Sequence, residues 1–261
     1  MGTLGCSGVQ VEGEREYWID FAKGIGIILV VWAHSISREK YIWILINQFH
    51  MPLFFMISGY LYNKKKNYGE FIRGKVRSLW LPYVVSSVIT ILFSLGLGNE
   101  GGIIFWIKKI IKVFLLLEPG PLLGATWFLQ VLFYAIILYD IITRLIMKFC
   151  KEKTETIITI IVSICLFVGI LTQLPYHGSV ILNTLFFIHL GKLMKSYYHW
   201  EKWKLPIFIL LICACAVISI FNKASYINNT YTNPLLFVVG AVIGSVGVIG
   251  ICKRIYRKKY L

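Results

Sequence analysis

Ten residues intervene between Lys23 and His34 in a run from Ile19 to Ser35 that is otherwise almost wholly apolar, IDFAKGIGIILVVWAHS. On an α-helix their separation is three turns plus about 20°, so both side chains fall on one face, about 16 Å apart. Asp20, three residues before the lysine, joins the same stripe. An imidazole exchanges a proton near neutral pH, an ammonium holds an anionic group, and a neighbouring carboxylate tunes both. A charge at the centre of a bilayer costs about 2.5–3.5 kcal/mol on insertion scales, so such a stripe is expected to face a protein interior or a hydrated cavity. For Asp20 and Lys23 taken alone, an ion pair snorkelling at the interface is an equal reading.

The next apolar run carries Gln48-Phe49-His50-Met51-Pro52. Proline suits a first helical turn, which would set His50 at the same membrane surface and depth as His34, able to bracket a substrate or share a proton path. Ser35 and Ser58 are candidate covalent carriers of a transferred group, and Trp127 is a candidate pocket wall or interfacial anchor. His189 sits in an apolar run and is expected to bond a neighbouring helix, whereas His177 and His199 fall in loops. No group of histidines and cysteines has the spacing of a metal site, so none is expected. Cys213 and Cys215 lie one residue apart in an apolar run and read as packing.

The elements that must hold these groups follow from composition. The chain of 261 residues is 57% hydrophobic and only 15% charged, with a mean hydropathy of +0.73. Apolar runs recur from end to end, the pattern of an all-α polytopic membrane protein rather than of a β-barrel with short alternating strands. Eight transmembrane helices are expected, over about 18–37, 43–62, 79–97, 124–146, 155–174, 180–195, 205–222 and 233–252. Residues 103–117 gather Lys108, Lys109 and Lys112 on one face and are expected to form one interfacial amphipathic helix. Residues 1–14 read as a disordered cytosolic lead and 15–261 as a single transmembrane domain.

The net charge of +15 is clustered between apolar runs and carries no nucleic-acid motif, so nucleic acid is not the expected partner. With an N-in and C-in topology, all but Arg38, Lys40, Lys108, Lys109, Lys112 and Lys223 of the 27 basic residues fall on the internal side, as the positive-inside rule requires.

Four segments carry a resemblance: Asp20 to His34, FHMPLFFMISGYLY from Phe49 to Tyr62, FIRGKVRSLWLPY from Phe71 to Tyr83, and WFLQVLF from Trp127. Together they resemble the acyltransferase-3 family, bacterial integral-membrane O-acyltransferases, most strongly over residues 15–135. The most specific piece is a basic residue, ten intervening residues and a histidine, matched by Lys23 and His34. The resemblance implies that His34 takes part in acyl transfer and that the donor is a cytosolic acyl-CoA, commonly acetyl-CoA, as co-substrate with no bound cofactor. It further implies a pair of arginines before Pro82. Here those positions fall on Lys75 and Ser78, with Arg73 and Arg77 beside them, so Arg73, Lys75 and Arg77 are the expected acyl-CoA-binding cations or, equally, a positive-inside anchor. The family usually has about ten spans, two more than expected here.

The enzymatic expectation is a membrane-bound O-acyltransferase of the bacterial cytoplasmic membrane. His34 would act as base on a hydroxyl of a glycan or lipid-linked saccharide, with Lys23 and Asp20 tuning the pocket or positioning the CoA end. The alternative is a polysaccharide exporter of the same family; the absence of a repeat relating two halves counts against it. A third reading, a scaffold whose basic loops bind anionic lipid, leaves the Lys23–His34 stripe idle.

Overall fold

The apolar runs fold into helices joined by short connections. The structure, a computed structural model, describes residues 16–37, 40–63, 67–96, 102–114, 126–197 and 203–259; the expected lead over 1–14 lies outside them. Among the described residues the helices are α1 (Tyr17–Ser35), α2 (Tyr41–Tyr60), α3 (Tyr68–Lys75), α4 (Leu81–Gly96), α5 (Ile103–Phe114), α6 (Trp127–Phe149), α7 (Thr154–Leu171), α8 (Gly178–Tyr197), α9 (Leu205–Phe221) and α10 (Pro234–Lys259). A hairpin of β1 (Ala224–Ser225) and β2 (Thr230–Tyr231) joins α9 to α10. Among the described residues six helices are long and apolar enough to cross a membrane, which makes this an all-α membrane fold.

Two expectations are corrected. First, helix begins at Tyr68 rather than near 79, because the basic loop is itself helical and α3 runs through a π-helical segment (Val76–Trp80) into α4. The cause is Pro82, which has no N–H to donate and whose ring crowds the preceding turn. A single wide turn absorbs it, with the Leu81 N–H donating to the Val76 carbonyl. Second, Pro52 lies inside α2 rather than in its first turn, so α2 begins earlier and carries His50 further from its start. The segment expected to be an interfacial amphipathic helix is helical as α5. It folds back along α4, with Phe114 beside Trp80 at 6.2 Å between ring centroids. Trp106 and Val113 bury themselves with Tyr83, Val84 and Ile91, while Lys108 and Lys112 stay outward. Only part of its apolar surface meets α4; Ile104, Ile107 and Ile111 stay exposed.

The core centres on α2, which packs against α1, α8, α9 and α10. Its polar side chains are matched rather than avoided. Gln48 donates to the Leu236 and Phe237 carbonyls (3.1 and 3.2 Å) and accepts from Asn222 (3.1 Å), and Ser245 donates to the Phe49 carbonyl (3.3 Å). These bonds in a buried setting fix both depth and rotation of α2 against α10.

Candidate functional site

Two contacts set the register of α1 on α2. Trp18 packs edge-on against Tyr60, 5.1 Å between centroids, and Gly26 sits under the Phe54 ring. The pairing is antiparallel, so the start of α2 lies beside the His34 end of α1. The two histidines expected at one depth at the surface differ in exposure, His34 being exposed and His50 buried.

Both nonetheless line one cavity of about 470 Å³. His34 is exposed at its rim, while His50 is 8% exposed at its floor. Asn47 and Trp127 form further wall, and Tyr226 and Asn228 reach in from the β-hairpin. Trp127, the candidate pocket wall or interfacial anchor, lies in the cavity wall and packs against Tyr226 at 6.4 Å and His177 at 6.1 Å.

His50 is oriented by its own helix. Its Nδ1 lies 2.8 Å from the Ile46 carbonyl. A carbonyl only accepts, so the proton is on Nδ1, and Nε2 carries the lone pair. His189 makes an instructive contrast. Tyr139 Oη lies 2.9 Å from its Nδ1 and Thr159 Oγ1 2.8 Å from its Nε2. Thr159 already donates to the Glu155 carbonyl at 2.8 Å, so Nε2–H donates to Thr159 and Tyr139 donates to Nδ1. Both ring nitrogens are used, as expected for a histidine bonding neighbouring helices.

The rest of the stripe on α1 lies toward the other end of the bundle. Lys23 is half-buried and Asp20 exposed, and neither is among the residues lining the His34 cavity. Ser58 is also remote from it, two turns beyond His50 on α2, with its hydroxyl donating to the Phe54 carbonyl at 2.8 Å. Among the expected donor-side cations, Arg73 and Arg77 are exposed and stand four residues apart on one side of the helix. Lys75 turns away from them and folds over the Phe71 ring at 5.4 Å. The structure thus groups two of the three.

That opposite end holds a second cavity, of about 540 Å³, lined in part by Tyr62, Lys151, Glu155 and Lys192. Lys192 pairs with Glu155 at 2.6 Å. In its neighbourhood Asp140, fully buried, accepts from Tyr62 at 2.7 Å and from Arg144 at 2.5 Å. Among the described residues no three His, Cys, Asp or Glu side chains converge as a metal site.

Sequence reasoning missed the hairpin that roofs the first cavity. Asn229 has φ of 51°, the left-handed conformation that asparagine tolerates. Its amide donates to the Gly169 and Thr172 carbonyls at 2.8 and 3.0 Å and its oxygen accepts from Asn183 at 2.8 Å. Tyr226, buried, bonds Thr184 at 3.0 Å. The signal available was Asn228-Asn229 between short aromatic and β-branched pairs, a turn-forming pattern.

The family model described as an acyltransferase domain matches residues 16–260. The nodulation protein NolL of Mesorhizobium japonicum is 30% identical over 142 residues, 49% of this chain and 36% of that protein, so the alignment spans about a third of the relative's length. No solved structure matches the chain.

Proposed function

The chain belongs to this acyltransferase-domain family, and from that premise we propose that it is a membrane-bound O-acyltransferase moving an acyl group, acetyl in the first instance, from cytosolic acyl-CoA to a hydroxyl of a cell-surface glycan or related saccharide. In this reading α1, α2, the α3–α4 unit and α6–α10 cross the bacterial cytoplasmic membrane, α5 does not, and both chain ends face the cytosol. The alternation of helix ends supports it. Tyr17 stacks with Tyr256 at 6.0 Å, Lys195 lies over Tyr60 at 5.7 Å and Lys253 over Trp18 at 5.5 Å, which gathers cations at the end away from the His34 cavity, as the positive-inside rule asks.

The observation that carries the proposal is the shared cavity of His34 and His50, with Trp127 in its wall. Such a cavity suits a saccharide: an aromatic face for the ring's apolar side, an amide at Asn47 and two imidazoles for hydroxyls. The acceptor enters from the rim and meets His34. Its hydroxyl oxygen attacks the thioester carbonyl, the new C–O bond forms as the C–S bond breaks, and the hydroxyl proton passes to an imidazole of the cavity and then to the departing thiolate. Arg73 and Arg77 hold the phosphates of CoA on the cytosolic side, and Lys23 stands between the two regions to position the acyl end.

Mass spectrometry of surface glycan from cells with and without the protein tests this. An added acetyl mass that depends on the protein is the expected result. Glycan that is unmodified but lost from the surface would support export instead.

A further inference from the structure

We propose that His50, at the cavity floor, is the general base of the transfer and that His34, at the rim, holds the acceptor hydroxyl toward it. The inference rests on the acyltransferase reading and adds the division of labour between the two rings.

Three observations carry it. The Nδ1–H of His50 is committed to the Ile46 carbonyl at 2.8 Å, so the ring is held in the tautomer whose lone pair is on Nε2. That nitrogen has no hydrogen-bond partner among the described residues, and the ring borders the cavity. His189, also buried, has both nitrogens occupied, so an open nitrogen on a buried ring is not general in this fold. The second observation is rigidity. Gln48 and Phe49, the two residues before His50, are bonded to α10 through Leu236, Phe237 and Ser245. A base oriented by a third group and mounted on a fixed helix is the arrangement that proton abstraction needs. The third is burial. His50 is 8% exposed while His34 is exposed, so of the two rings His50 is the one withdrawn from solvent, where a transferred proton is kept in the site.

The step balances with no added reagent. The acceptor O–H proton goes to Nε2 of His50 as the oxygen bonds the acyl carbon. The C–S electron pair leaves with sulfur, and the imidazolium returns the proton to the thiolate, giving ester and free thiol with His50 neutral again.

The test uses the full chain in proteoliposomes with acetyl-CoA and the isolated surface glycan of the host cell. His50→Asn keeps an N–H for the Ile46 carbonyl yet has no group that takes a proton, and should lower kcat by roughly 100-fold or more with the KM for acetyl-CoA little changed. His50→Ala should be equally impaired and regain about tenfold on addition of imidazole, which supplies the missing base to the vacated floor. His50→Asn retaining more than about a tenth of wild-type kcat overturns the assignment, since a base of this kind is worth far more. So does a folded His50→Ala protein that imidazole does not revive. Wild-type protein that transfers no acetyl group at all overturns the enzymatic reading itself, and the base with it.

Discussion

Gly59 of α2 and Gly191 of α8 lie against each other's helices: a methyl group on Gly59 would strike the Ile188 carbonyl, and one on Gly191 the Met56 carbonyl. Two reciprocal backbone approaches leave no flexible side chain to give way, so the crossing exists because both positions lack a Cβ. It seats the end of α2 away from the cavity while Gln48 fixes the middle, and together they set the depth of His50. Gly59→Ala or Gly191→Ala should each cost about 1–3 kcal/mol from overpacking, read as earlier thermal unfolding in detergent. Gly24→Ala, at a position with nothing within 4 Å of the added carbon, should leave the unfolding temperature unchanged or slightly raised.

His34→Ala should abolish acyl transfer while expression and membrane insertion stay normal. The side chain is exposed and contributes little to packing, so its loss should act on the reaction and not on the fold. Normal acylation of surface glycan in cells carrying the variant would remove His34 from the mechanism.

The donor-side cations should separate. Arg73→Ala with Arg77→Ala removes two exposed guanidinium groups from one side of the helix and should raise the apparent KM for acyl-CoA about tenfold or more, with kcat nearly kept. Lys75→Ala should change that KM by less than about threefold, because its ammonium is folded onto Phe71. Steady-state kinetics at varied acyl-CoA decides between a CoA site and a simple charge anchor. An unchanged KM in the double variant would favour the anchor.

Much of this was legible in the sequence because lipid imposes it. Apolar runs of fixed length with basic loops between them are matched by six helices long and apolar enough to cross a membrane among the described residues, while of the Asp20–Lys23–His34 stripe only His34 lines the first cavity. What failed did so where neighbours decide. Pro52 reads as a helix start from sequence, but α2 tolerates it within a packed core, and that moved His50 from the surface to a cavity floor. The segment 103–117 carries the pattern of an interfacial helix, but which of its apolar residues meet α4 was not legible: Trp106 and Val113 are buried there while Ile104, Ile107 and Ile111 stay exposed. The roof of the cavity was invisible because two-residue strands have no periodicity, and Asn229 acts through bonds to Gly169 and Thr172, nearly sixty residues away.

Asp140 supplies a last test, of what the buried charge near the second cavity is for. It sits fully buried between Tyr62 and Arg144, and Arg144 is 21% exposed and lies over the Tyr68 ring at 5.3 Å. Asp140→Ala therefore strands a tyrosine hydroxyl but leaves the guanidinium partly solvated and still stacked. Its cost should fall below the roughly 3–5 kcal/mol of a fully buried pair, at about 2 kcal/mol. Asp140→Asn should cost less, because an amide oxygen still accepts from Tyr62. If the knot serves only to pin α6 to the end of α2, both variants should unfold earlier and yet retain wild-type kcat per folded molecule. A folded Asp140→Asn protein with wild-type stability and strongly reduced kcat would instead make this carboxylate part of the donor's route to the reaction centre.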